Sequence, residues 1–445
     1  VAELWAGPLA VAFGVEHRRE EALFENDAFS RQGLGRTVGL NDLHGKFHTN
    51  EYYAEVLLPL ASADNDIPGL HRLDLIGKIR RVDNSEVGGF NAYTYGLQWE
   101  PIAGLQFRGN VTKSLRAPSI VELFLEPVEL FQTATDVCNF NQLDNGPNPA
   151  IRRRNCEAMY ASLGLPATFQ QPTTSVRAFR QGNPDLLNES ADSWTAGVVW
   201  TPEFIKGLSL AIDYNVIELS DQILALSSVD VLTACYDDAN FNLADPANGN
   251  PYCSLLTRRA GPYDAATNPT AGQFDPFRLA YVNGEFINFS AWTGELAYRW
   301  DAGNAGVFNF AANAIVRTRH EVKNTPVSVV DDLVGELSFP KQQYRLTAAW
   351  AKGDFGLHAG MRYTSSVMFD DTETVESRAP LNVPSYRLYN AGVSYRLGDY
   401  GLLRFNVDNL TDQEPEGVAM AGVNGVGDYD VLGRRYMLSY ELKFR

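Results

Sequence analysis

Apolar and polar residues alternate along most of this chain with a period of two. The closing stretch shows it most cleanly: Tyr436, Leu438, Tyr440, Leu442 and Phe444 take every second position, with Met437, Ser439, Glu441, Lys443 and Arg445 between them. That period puts an apolar and a polar face on a strand. It predicts strands at Leu4–Arg19, Tyr52–Ala61, His71–Asp83, Phe90–Glu100, Leu105–Arg116, Trp194–Trp200 and Leu208–Asp221. Further strands are expected at Arg278–Trp300, Val307–His320, Tyr344–Trp350, Phe355–Phe369, Tyr386–Leu397, Leu402–Leu410 and Tyr436–Arg445, about fourteen in all.

The connections carry a second pattern, read as a strict alternation, long after the first strand, short after the second, and so on to the end. The two longest, 117–188 and 222–277, show no sustained period of two. Short turns on one side and long loops on the other describe a transmembrane barrel, and a soluble sandwich has no reason to keep that parity. Aromatic residues near the strand ends fit the same reading, since amphipathic rings favour a membrane–water interface. Apolar runs such as Leu4–Val15 fall short of the roughly 20 residues of a transmembrane helix. The fold class expected is therefore all-β, a transmembrane antiparallel β-barrel with extracellular long loops and a periplasmic C-terminus. No positively charged start followed by an apolar core precedes it, so a signal peptide is expected to have been removed or to lie outside the chain.

Composition changes this picture little. The 445 residues suit one large barrel, and 20 Tyr, 24 Phe and 37 Gly suit strands and turns. A formal charge of −17, from 37 basic and 54 acidic residues, argues against a nucleic-acid surface.

Four stretches then resemble the TonB-dependent outer-membrane receptors. They are VTKSLRAPSIVELF from Val111, GNPDLLNESADSWTAGVVW from Gly182, FNVDNLTD from Phe405 and the terminal GRRYMLSYELKFR from Gly433. Their order and spacing match as well. The resemblance implies a barrel of about 22 strands behind a plug domain, of which residues 1–445 look like the C-terminal portion, about the last fourteen strands. The plug and first strands are then expected on a second polypeptide or outside this chain. Arg445 after Phe444 departs from the family's aromatic ending. The implied function is energy-coupled import of a scarce or bulky nutrient, such as a siderophore, oligosaccharide or peptide. TonB and its inner-membrane motor, lipid and lipopolysaccharide would be the partners. The alternatives are a passive pore of about fourteen strands and a soluble β-rich binding protein.

Cys138 and Cys156 lie in the first long loop, Cys235 and Cys253 in the second, each pair eighteen positions apart. Of three possible connectivities, pairing within each loop closes the shortest segments, about 3 kcal/mol apiece in the chain-entropy model. A metal site is the rival, but no Cys-x-x-Cys or clustered His accompanies them. Pinned in this way, the loops are expected to be structured caps with short helices at Ser119–Phe124 and Val229–Tyr236. Phe131, Arg177, Phe179, Tyr252 and Arg258 are the candidate ligand contacts, as aromatic and charged positions in those loops.

Other candidates have blander readings. His44 and His48 have a helical metal spacing, but Gly45 and the missing Glu favour loop histidines. Arg152, Arg153 and Arg154 could hold an anionic ligand, against lipopolysaccharide contact or solubility. Asp370, Asp371, Glu373 and Glu376 lack the regularity of a calcium loop and read as a solvated acidic face. Gly422–Gly427 reads as a loop tip. Glu295, Arg299, Arg345, Arg387, Arg396, Arg404, Asp408, Glu441 and Lys443 fall on the polar phase, facing a plug or water. No catalytic residue, metal site or cofactor is expected.

Overall fold

The computed structural model describes residues 2–34, 38–371, 374–377, 379–415 and 429–442. Within them, fourteen strands run in one antiparallel path, each paired with the next. They are β1 (Ala10–Phe24), β2 (Leu43–Ala61), β3 (Arg72–Asn84), β4 (Gly88–Ile102), β5 (Leu105–Arg116), β6 (Glu189–Trp200) and β7 (Leu208–Ser220). Then come β8 (Phe286–Asp301), β9 (Val307–Lys323), β10 (Gln342–Lys352), β11 (Phe355–Thr364), β12 (Tyr386–Arg396), β13 (Gly401–Asp408) and β14 (Arg435–Leu442). The two-residue strand Asp331–Asp332 joins β9 from the side. Lys443, Phe444, Arg445, Glu373 and Gly422–Gly427 lie outside the described residues.

The register converts the period of two into two continuous surfaces. Tyr95, Val111, Trp194 and Val216 stand opposite one another across β4 to β7, and Phe310, Ala348, Ala359, Ala391 and Val407 do so across β9 to β13. Leu97, Trp194, Trp292, Leu346, Leu357, Phe405 and Leu438 on this face are exposed, the opposite of a soluble sheet. Trp292 and Trp300 are eight residues apart, about 26 Å along the strand or about 20 Å of depth at the usual tilt. At the short-turn end, Trp99 and Trp350 donate their indole N–H to the turn carbonyls of Gly69 and Ala305, at 2.9 and 2.7 Å.

The other face is a lattice of ion pairs and hydroxyl contacts. Arg80 meets Glu51 at 2.6 Å, Lys78 meets Glu55 at 3.1 Å and Arg404 meets Glu441 at 2.9 Å. Arg108 on β5 reaches over β6 to grip Asp213 on β7, at 2.8 and 2.6 Å. The residue it crosses is Gly197, where a Cβ would fall 2.0 Å from Asp213 Oδ1, so the bridge requires glycine at that position.

Several expectations are corrected. The first strand is Ala10–Phe24 rather than Leu4–Arg19, because Glu3–Leu4 and Gly7–Pro8 form a ribbon of their own that turns at Trp5 and Ala6. The supposed loop before Tyr52 becomes strand from Leu43 onward, and that part holds His44 and His48. Four residues span about 13 Å on a strand, so these two imidazoles cannot share a metal. The span Arg278–Trp300 divides: Phe274–Asn283 leaves the main sheet, and β8 starts at Phe286. The alternation of connections breaks once, since β3 and β4 are joined by residues 85–87 alone. Asn84 Oδ1 accepts from the N–H groups of Glu86 and Val87 there, and Gly88 takes φ +76°, closing a tight hairpin. Arg387 lies on the apolar phase, opposite Tyr363 and 5.5 Å over its ring; it sits near the strand end, where a charge reaches past the apolar band.

Candidate functional site

The long segments after β5 and β7 fold together into one cap. Ser119 and Glu122 form a capping box that starts α1 (Ile120–Phe124). Arg116 at the end of β5 bonds both Glu122 and Glu189, the first residue of β6, and Glu189 also accepts from the Ile223 N–H at 2.7 Å. The first segment then supplies strands Val128–Thr133 and Ser175–Gln181 around α2 (Pro149–Leu163). The second supplies Ile223–Ala225, α3 (Ser228–Tyr236), Leu256–Arg258 and Phe274–Asn283. These five strands form a separate sheet. The two segments join through a parallel pairing, Phe277 to Ala280 against Ala178 to Gln181.

Under that sheet lies the main apolar core, drawn from both segments: Leu143, Met159, Tyr160, Phe169 and Val176 meet Val231, Leu232, Tyr236, Phe274 and Phe277. Cys138 is bonded to Cys156 and Cys235 to Cys253, both inside this core. Two buried ion pairs cross the seam in opposite senses. Arg152 of the first segment grips Asp237 of the second with two 2.6 Å bonds. Arg258 of the second grips Asp136 of the first at 2.6 and 3.0 Å. All four side chains are at most 6% exposed. Asn155 adds bonds to the Tyr236 and Asp238 carbonyls at 2.9 and 2.8 Å. Burial alone would lower the Arg258 pKa, but the Asp136 charge outweighs it and raises it above the ordinary value. Burial pushes the Tyr160 and Tyr236 phenols up.

The arginine run therefore neither waits for an anion nor meets lipopolysaccharide as a whole: Arg152 is internal, Arg153 pairs with Asp144 at 2.6 Å, and Arg154 bonds Asn155 and the Ala239 carbonyl. Its placement left a trace in the sequence. Arg152, Cys156, Met159 and Tyr160 fall on one helical stripe and are all buried. Asp136 and Asp237 gave no such signal, since their partners are distant in the chain.

Three of the candidate contacts share the open face of the cap sheet. Phe131 lies opposite Arg177, and Phe179 stands between Glu129 and Arg278. The Arg177 guanidinium sits 5.5 Å over the Phe179 ring and pairs with Asp275 at 3.1 Å. A bond from Arg259, with Arg177 beside it, holds the Asp275 carboxyl below the usual range. Phe131 and Arg278 are exposed. Tyr252 instead packs half-buried against the core, and Arg258 is committed to Asp136, so neither joins that face.

A smaller cluster ties two other loops. Carboxylate oxygens of Asp331, Glu336 and Asp371 lie within 4.8 Å of one another, and Glu336 accepts from the Asp371 N–H at 3.0 Å. Burial first, then the neighbouring carboxylates, raise the Asp331 and Glu336 pKa values. Asp371 stays exposed, as expected of the acidic face, while its backbone N–H is tied to the buried Glu336.

Residues 2–410 match the family model for the TonB dependent receptor-like beta-barrel. No curated protein matches the chain in sequence. Among solved structures, the siderophore receptor PirA from Acinetobacter baumannii is similar over 100% of this chain and 53% of its own, with 14% identity and a TM-score of 0.60. A mutant of the ferric enterobactin receptor PfeA from Pseudomonas aeruginosa, in complex with enterobactin, is similar over 98% of this chain and 51% of its own, with 14% identity and a TM-score of 0.59. The chain thus spans about half the length of these proteins.

Proposed function

This chain belongs to the TonB-dependent receptor family, and from that premise we propose that it is the ligand-capturing barrel portion of an outer-membrane importer. The cap carries the reading. It stands at the long-loop end, which we assign to the outside, and offers an aromatic and basic surface on a braced support. Phe131, Phe179, Arg177 and Arg278 would receive the ligand. An iron chelate of siderophore type fits: aryl rings can stack on the phenylalanines, and Arg278 supplies an exposed cation with no ion-pair partner among the described residues. The plug and remaining strands would be supplied outside this chain, with TonB providing the coupling.

The test is a titration of detergent-solubilised protein with ferric enterobactin, followed by tryptophan quenching. Saturable binding that weakens about tenfold or more in Phe131→Ala and Arg278→Gln supports the reading. If no ferric chelate binds and the chain conducts ions in a planar bilayer, import gives way to a passive pore.

A further inference from the structure

On the ion-paired face of β10 to β14, a cleft of about 720 Å³ lies beneath the segment 429–432. Arg345 and Arg362 stand directly opposite each other across β10 and β11, on one face and both lining it. Like charges so placed repel. Elsewhere on this face Arg80, Arg108 and Arg404 each meet a carboxylate, but the cross-strand neighbours here are Asn313 and Leu388. Along the register Glu295 lies two strands away on one side and Asp408 two strands away and one rung off on the other; the carboxylate that acts on Arg362 is Asp430 of the roof. The Arg362 Nε is buried and has no acceptor among the described residues. A buried donor left in that condition costs about 1–3 kcal/mol. Thr347 and Gly360 form the next rung of the register, leaving space in front of the two guanidiniums. The roof contributes Arg435, whose charge is already shared with Asp430 at 2.7 Å.

We propose that this cleft binds an oxyanion, the carboxylate or phosphate of a small molecule, between the Arg345 and Arg362 guanidiniums. Planar forks suit such a group because each can give two parallel charge-assisted bonds. The site is distinct from the cap surface and does not depend on its ligand.

Calorimetric titration of the solubilised full chain at low salt, with citrate and with inorganic phosphate, tests it. One saturable site is expected, weakened about tenfold or more in Arg345→Gln and in Arg362→Gln. Asp408→Asn, which removes a negative charge from the rim, should tighten binding several-fold, a gain that misfolding cannot imitate. Heat-modifiable gel mobility identifies folded variants. Absence of saturable binding, or wild-type affinity in a folded Arg345→Gln/Arg362→Gln double variant, overturns the proposal.

Discussion

The cap and the main sheet solve the burial problem in opposite ways. The cap resembles a small secreted domain, with apolar side chains inside, two disulfides through its core and charges buried only where paired. Among the described residues the sheet has no comparable core, and its large apolar residues point outward along a band while its charges meet one another on the other face. One region is stabilised by excluding water from itself, the other by immersion in lipid. The same chain thus carries two stability budgets, and a perturbation of one should leave the other standing.

The sharpest way to break that comparison is at the seam of the cap. Arg152→Ala leaves Asp237 buried and unpaired, and loss of one partner from such a pair costs about 3–5 kcal/mol. The cap should become protease-sensitive between residues 125 and 285 while the sheet keeps its heat-modifiable mobility. Simultaneous loss of both would show that the two regions are one cooperative unit.

A smaller effect is expected from the other side. Gly197→Ala forces Asp213 away from Arg108, costing about 1.5–3 kcal/mol for bonds to a charged group. The heat-modification midpoint should fall while cap proteolysis is unchanged.

The smallest concerns pH. The Asp331 and Glu336 carboxyls have raised pKa values in the folded loops. Protonation therefore favours the folded arrangement. Their stabilisation is full below the ordinary carboxylate range and is lost as pH rises through the raised values. Proteolysis within residues 324–341 and 365–385 should slow as pH falls into that range, more than cleavage of Asp331→Asn/Glu336→Gln protein does.

The sheet was legible because its information is local: Tyr95, Leu97 and Trp99 declare their face within five residues. What failed was likewise local but ambiguous. His44 and His48 sat in a polar stretch that β2 annexes through pairing with β1, and the turn at 85–87 is held by one asparagine side chain. The cap was legible only in its outline and in the placement of its cysteines. Its helices α1 and α3 have capping boxes that can be read, but the pairing of Phe277 with Ala178 and of Arg152 with Asp237 joins residues far apart in sequence. No periodicity within either segment encodes a partner in the other. Arg258 illustrates the limit, since an arginine in a loop reads as exposed until its distant aspartate is known.

The parallel pairing across the seam has a consequence for how such receptors can be altered. Each long segment contributes half of a core, half of a sheet and one member of each reciprocal ion pair. Transplanting either one alone onto a relative would leave a buried aspartate and a buried arginine stranded in the graft. The two long segments of this protein are therefore exchangeable only as a matched pair, inherited or engineered together.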